Sequence, residues 1–177
     1  MILLQQLNVL NRTLVIGRRW NVQWKNVTLY LPEHVTQIAK KRGRLHMLSA
    51  IDYFIIAKNQ FPWLRVPDVV IARRGYDNYL VMTAIKTSIS VVDVTNTLFA
   101  VHQTDSEARD RRRHSKDHEY NMRSLGRFNY HVGIVSNSQF LTNSVTDTLR
   151  NTTTIVVVRR PPKEVKAART INTHQRW

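Results

Sequence analysis

Val69–Ala72 and the valine-rich run Ile89–Val94 are the features that most constrain the fold of this chain. Each places apolar residues at successive positions, on both parities, as a strand covered on both faces of a sheet does. Between them lies a turn, Arg73–Asn78, and then Tyr79–Thr87, with Leu80, Met82, Ala84 and Ile85 near helical spacing. Strand, helix and strand in so short a span is a compact βαβ unit, which forces its two strands parallel.

The flanking segments extend this pattern. Leu3, Leu4, Leu7 and Leu10 predict a short helix over 2–10, and Thr13–Ile16, closed by Gly17, a buried strand. Residues 33–59 predict a helix that starts beside Pro32 and Glu33, with Val35, Ile38, Leu45, Leu48, Ile51 and Ile55 in phase and Gly43 as a point of interruption. Short strands are expected at Leu98–Val101 and Thr153–Val158, and an extended stretch around Tyr130–Val135. Residues 105–125 favour a helix but offer no apolar stripe to dock it, so the segment reads as lying on a partner or as mobile. The expected fold class is α/β: a small parallel-sheet core of Rossmann or flavodoxin type. Residues 1–125 would form that core, with a helical insertion at about 33–60. Residues 126–177 would be a basic extension with one strand and a tail ordered by a partner.

Charge narrows the function. The chain has 177 residues with 27 Lys plus Arg against 12 Asp plus Glu, a net +15. Self-repulsion on that scale opposes compactness and serves no folding purpose, so a polyanionic partner is expected, nucleic acid first. The cations fall in clusters, several beside aromatic residues: Arg18 and Arg19 next to Trp20; Lys40, Lys41, Arg42 and Arg44; Arg73 and Arg74; Arg111, Arg112 and Arg113; and Arg159, Arg160, Lys163, Lys166 and Arg169 in the tail. These are the candidate RNA-binding residues, since arginine's planar fork matches phosphate. The tryptophans are expected in the core rather than as base-stacking platforms. There is no cysteine, which removes disulfides and zinc–thiolate sites and suggests a reducing compartment. No apolar run approaches the roughly 18 residues of a membrane span, and the N-terminal residues lack the look of a signal peptide or an import presequence. No membrane association is expected.

Enzymatic readings find little footing. The loops after Ile16 and Ala72 hold one glycine each, whereas phosphate-cradling loops need several so that backbone amides can close on the ligand. His114 and His118 have helical metal-ligand spacing, but three neighbouring arginines oppose a cation there, and exposed histidines explain them. Asp93, Asp105 and His102 around Mg²⁺ would be the centre of a small nuclease or RNA-modifying enzyme, the main alternative class. Turn and helix-cap roles account equally well for both aspartates. A free-standing nucleic-acid-binding regulator is the third class. No catalytic residue, metal site, cofactor or small-molecule substrate is expected.

Pro67–Ile71 (PDVVI), Ala84, Ile89–Val92 (ISVV) and Thr95–Thr97 (TNT), followed by Phe99–Arg109, resemble the latter half of the small ribosomal subunit protein number two family. Thr13–Trp20 (TLVIGRRW) resembles that family's earlier apolar strand. The specific match covers residues 67–109, and Ser90 and Gln103 stand where the family carries proline and glycine. The resemblance implies a non-enzymatic constituent of a small ribosomal subunit, bound to ribosomal RNA and to neighbouring ribosomal proteins. Divergence of this degree implies a mitochondrial (matrix) ribosome, and a gene residing in the organelle would account for the missing presequence.

Overall fold

A computed structural model describes residues 12–23, 32–103 and 116–161. The predicted helix over 2–10 and most of the basic tail lie outside the described residues.

The chain is mixed α/β. Strand β1 (Thr13–Gly17) is buried along its whole length. It sits inside a five-stranded sheet of order β4-β1-β5-β7-β8, with β4 at Tyr53–Ile56, β5 at Ser90–Asp93, β7 at Phe140–Asp147 and β8 at Thr152–Arg159. β1 runs parallel to β5, Leu14 beside Val91 and Val15 beside Val92, and β5 runs parallel to β7. The two edge strands, β4 and β8, are antiparallel to their neighbours. The parity of β1 divides the core. Leu14 and Ile16 face helix α2 (Tyr76–Lys86), where Leu80, Val81 and Ala84 cover them together with Ile89 and Val91. Val15 turns the other way, to Val92 and Val94. Each fully buried aliphatic side chain here contributes about 1.5–3 kcal/mol, which sets the register of the sheet.

After Arg18 the chain continues as β2 (Arg19–Val22) in a second sheet of order β3-β2-β6, with β3 at Arg44–Leu45 and β6 at Ala100–Gln103. β2 and β6 are parallel, so the β1–β5 pairing is resumed beyond a break. Helix α1 (Pro32–Arg42) precedes β3, and Trp20 stacks on Phe99 at 5.4 Å. At the break, Gly17 pairs with Tyr53, and the Tyr53 ring fills the space a side chain at 17 would need.

Several expectations are corrected. Val69–Ala72 is not a strand. It is irregular, Ile71 is exposed, and Ala72 has φ +62°. The reason is that β1 and β5 already have neighbours on both sides, while the Val70 backbone is taken by the Asn121 side chain. The short βαβ unit over 69–94 is therefore not formed, and the parallel partner of β5 is β1. The helix expected over 33–59, and with it the helical insertion at 33–60, ends at Arg42, beside Gly43. Tyr53–Ile56 instead becomes β4, because β-branched and aromatic side chains pack better on the edge of the sheet than on a lone helix. The strand placed at Leu98–Val101 begins at Ala100, and residues 130–137 are turns ending in a 3₁₀ turn, Val135–Asn137, rather than extended.

The strand expected at Thr153–Val158 is present as β8. With β7 it forms a hairpin paired over eight positions, Phe140↔Arg159 to Asp147↔Thr152. Only Phe140 and Leu141 of β7 pair with β5, so the distal part of the hairpin projects past the sheet. Helix α3 (Lys116–Leu125) packs against α2, and its buried residues are Asn121, which bonds to the Val70 backbone, and Leu125.

Candidate nucleic-acid interface

The acidic side chains decide which cations face outward. Asp52 is ion-paired with Arg19, which also donates to Asn21. Asp93 accepts from Arg160 at 2.7 Å, from the Thr95 amide at 3.0 Å and from the Thr95 hydroxyl at 2.5 Å. Asp117 accepts from Arg73 at 3.1 Å. Asp77 receives the Ile51 amide at 3.2 Å, and burial pushes its carboxyl above the usual range against the pull of that bond. Among the described residues, Asp52, Asp77 and Asp93 are thus engaged within the chain and Asp117 by a surface pair with Arg73, while Asp68 and Glu119 are exposed.

The predicted RNA-binding residues separate accordingly. Arg18, Arg19, Arg73 and Arg160 are only partly exposed, and their guanidinium groups are engaged by the chain itself. Arg18 donates to the His46 carbonyl at 3.0 Å, and its pKa is lowered by burial, with Asp93 opposing and Arg160 adding to the effect. These four shape the break between the two sheets and the docking of α3. Arg74 lies over the Tyr130 ring at 5.6 Å and Lys40 over the Phe99 ring at 5.8 Å, both still exposed. Lys41, Arg42, Arg44 and Arg159 are exposed. Arg111, Arg112, Arg113, Lys163, Lys166 and Arg169 lie outside the described residues.

One concentrated basic surface follows. Lys40, Lys41 and Arg42 form the last turn of α1, where the helix dipole favours cations, and Arg44 follows on β3. The small sheet holds this turn in place. Arg44 pairs with Asn21, and Trp20 of the same strand pairs with Leu45.

The aspartate proposed for an enzymatic alternative has other work. Asp93 closes the end of β5 by holding Arg160 and Thr95, and Thr95 in turn accepts the Arg18 amide at 3.1 Å. Tyr53, whose hydroxyl donates to the Leu98 carbonyl at 3.0 Å, stays protonated well above the ordinary range, through burial first and then the charges of Asp93 and Asp52. His102 lies on β6 in the other sheet, and Asp105 is outside the described residues. Among the described residues no three His, Asp or Glu side chains converge as metal ligands, and no helix is long and apolar enough to cross a membrane.

A feature missed by sequence reasoning is an open groove of about 520 Å³ between α3 and the segment 68–70. Its signal in the sequence was a lone aromatic, Tyr120, in an otherwise polar helix. Neither described tryptophan is in the buried core, contrary to expectation: Trp20 is partly exposed and stacks on Phe99, and Trp63 is half-exposed against Phe61.

No family model, curated protein or solved structure matches this chain.

Proposed function

We propose that this chain is a non-enzymatic structural constituent of a small ribosomal subunit of mitochondrial type, binding ribosomal RNA and neighbouring ribosomal proteins. The observation that carries the reading is the allocation of charge. Among the described residues, Asp52 and Asp93 hold Arg19 and Arg160 in partly buried pairs and Asp117 holds Arg73 at the surface, while Lys40, Lys41, Arg42 and Arg44 stand exposed together. A surface of that kind neutralises phosphates and releases their counterions, which supplies affinity for folded RNA without a catalytic centre. The resemblance over residues 67–109 supplies the ribosomal part of the proposal. Reading β1, β5 and β7 as a Rossmann- or flavodoxin-like core belongs to it too, supported by the two parallel ladders that join them.

The test is co-sedimentation. The tagged full chain should remain with small ribosomal subunits of mitochondria through a high-salt wash. Recovery only in the free protein fraction, or RNA affinity indifferent to salt, would overturn the proposal.

A further inference from the structure

The groove beside α3 has a composition that the general basic surface lacks. One wall is a single face of α3, where Lys116, Tyr120 and Arg123 follow each other at spacings of four and three. The other wall is Asp68, Val69 and Val70. That wall is fixed to the helix by Asn121, which accepts the Val70 amide at 2.7 Å and donates to the Val70 carbonyl at 2.8 Å. Tyr120 is 43% exposed, an aromatic ring presented rather than packed away. Asp117 also lines the groove, but its charge is met by Arg73 at 3.1 Å. Two exposed cations therefore flank an exposed ring; Asp68 is exposed on the opposite wall, and Asp117, with a side chain 47% exposed, stays paired with Arg73 on the helix wall.

Each part has a match in an unstacked nucleotide. A base stacks on an aromatic ring, adjoining phosphates meet Lys or Arg, and a carboxylate accepts from amino groups on the base edge. The same carboxylate repels phosphate, which orients the ligand with its base toward Asp68 and its backbone toward Lys116 and Arg123. We infer that this groove receives a single unpaired nucleotide of RNA, stacked on Tyr120, whose base carries an amino group read by Asp68. The inference deepens the RNA-binding reading and rests on it. An acidic peptide is the competing occupant, but it would meet Asp68 and would gain nothing specific from an aromatic wall.

The experiment measures binding of fluorescent eight-nucleotide oligo(C), oligo(A) and oligo(U) RNA to the full chain, with a glutamate-only peptide as the acidic control. Oligo(C) and oligo(A) are expected to bind more tightly than oligo(U). Tyr120→Ala should weaken binding roughly tenfold, the size of one stacked base, and Tyr120→Phe should retain it. Asp68→Asn should reduce the preference over oligo(U), a change that loss of a purely structural contact does not produce. Circular dichroism and melting of each variant establish that the fold persists. If Tyr120→Ala binds every oligonucleotide like the parent while Lys41, Arg42 and Arg44 variants bind less, the groove is overturned and the RNA reading stands. If the parent chain binds no RNA, both fall. If the glutamate peptide binds with the same dependence on Tyr120, the groove reads charge alone and the inference is wrong.

Discussion

Asn121 of α3 grips the main chain of Val70 through both ends of its amide, accepting the Val70 N–H at 2.7 Å and donating to the Val70 carbonyl at 2.8 Å. The side chain thus pairs with the N–H and C=O of one residue much as an adjacent strand would. It gives a helix with almost no apolar face a fixed seat. Replacing Asn121 with Ala removes both bonds and should cost about 1–3 kcal/mol. Native-state hydrogen exchange should show the loss concentrated in 68–72 and α3, with β1 and β5 still protected. Uniform loss of protection across the sheet would show that the contact is not local.

Asp93 sits between Arg160 and Arg18, bonded to the first and within electrostatic reach of the second. Asp93→Asn leaves two partly buried guanidinium groups without their common counter-charge. The expected loss is about 2–4 kcal/mol, near that of breaking a buried pair. Arg160→Met in the same background should recover part of it, because one of the stranded charges is then gone. RNA binding measured below the melting transition should change little in either variant. RNA cleavage in Mg²⁺ that disappears with Asp93→Ala would instead favour an enzyme.

The Asp77 carboxyl titrates above its ordinary value because burial opposes its charge. Between the unfolded value, about 3.9, and the raised folded one, the native state holds a proton that the unfolded state has released. Its contribution to stability is therefore complete below about pH 4 and is lost as pH rises through the folded value. Asp77→Asn keeps an acceptor for the Ile51 amide and does not titrate. The difference in urea stability, parent minus variant, should fall as pH increases from 3 to 7. A rising difference would contradict this assignment.

Exposed cations on α1 and β3 should dominate the salt response. If Lys41, Arg42 and Arg44 each meet one phosphate, changing all three to Ala lowers the slope of log K against log salt by about 2 for single-stranded RNA. The fold should survive, because all three side chains are exposed. Equal slopes in parent and variant would move the interface elsewhere.

β1, β5 and β8 were legible as short runs of mainly β-branched residues, and α2 from apolar residues near helical spacing. Val69–Ala72 shows the limit. Its pattern is that of a buried strand, but strandhood needs an open neighbour, and the order β4-β1-β5-β7-β8 leaves none beside β1 or β5. β4 was hidden for the opposite reason, since Ile51 and Ile55 also fit a helical period. Among the candidate RNA contacts, the residue types were readable but their commitments were not. Arg19, Arg73 and Arg160 find their aspartates 33, 44 and 67 positions away, separations that local pattern does not encode.

Gly17 and Tyr53 share one volume, the ring of the second occupying the place of a side chain on the first. Neither position is free to drift alone. In homologous chains a larger residue at 17 should arrive only with a smaller one at 53, so this couple offers a covariation signature by which diverged relatives of the chain can be recognised.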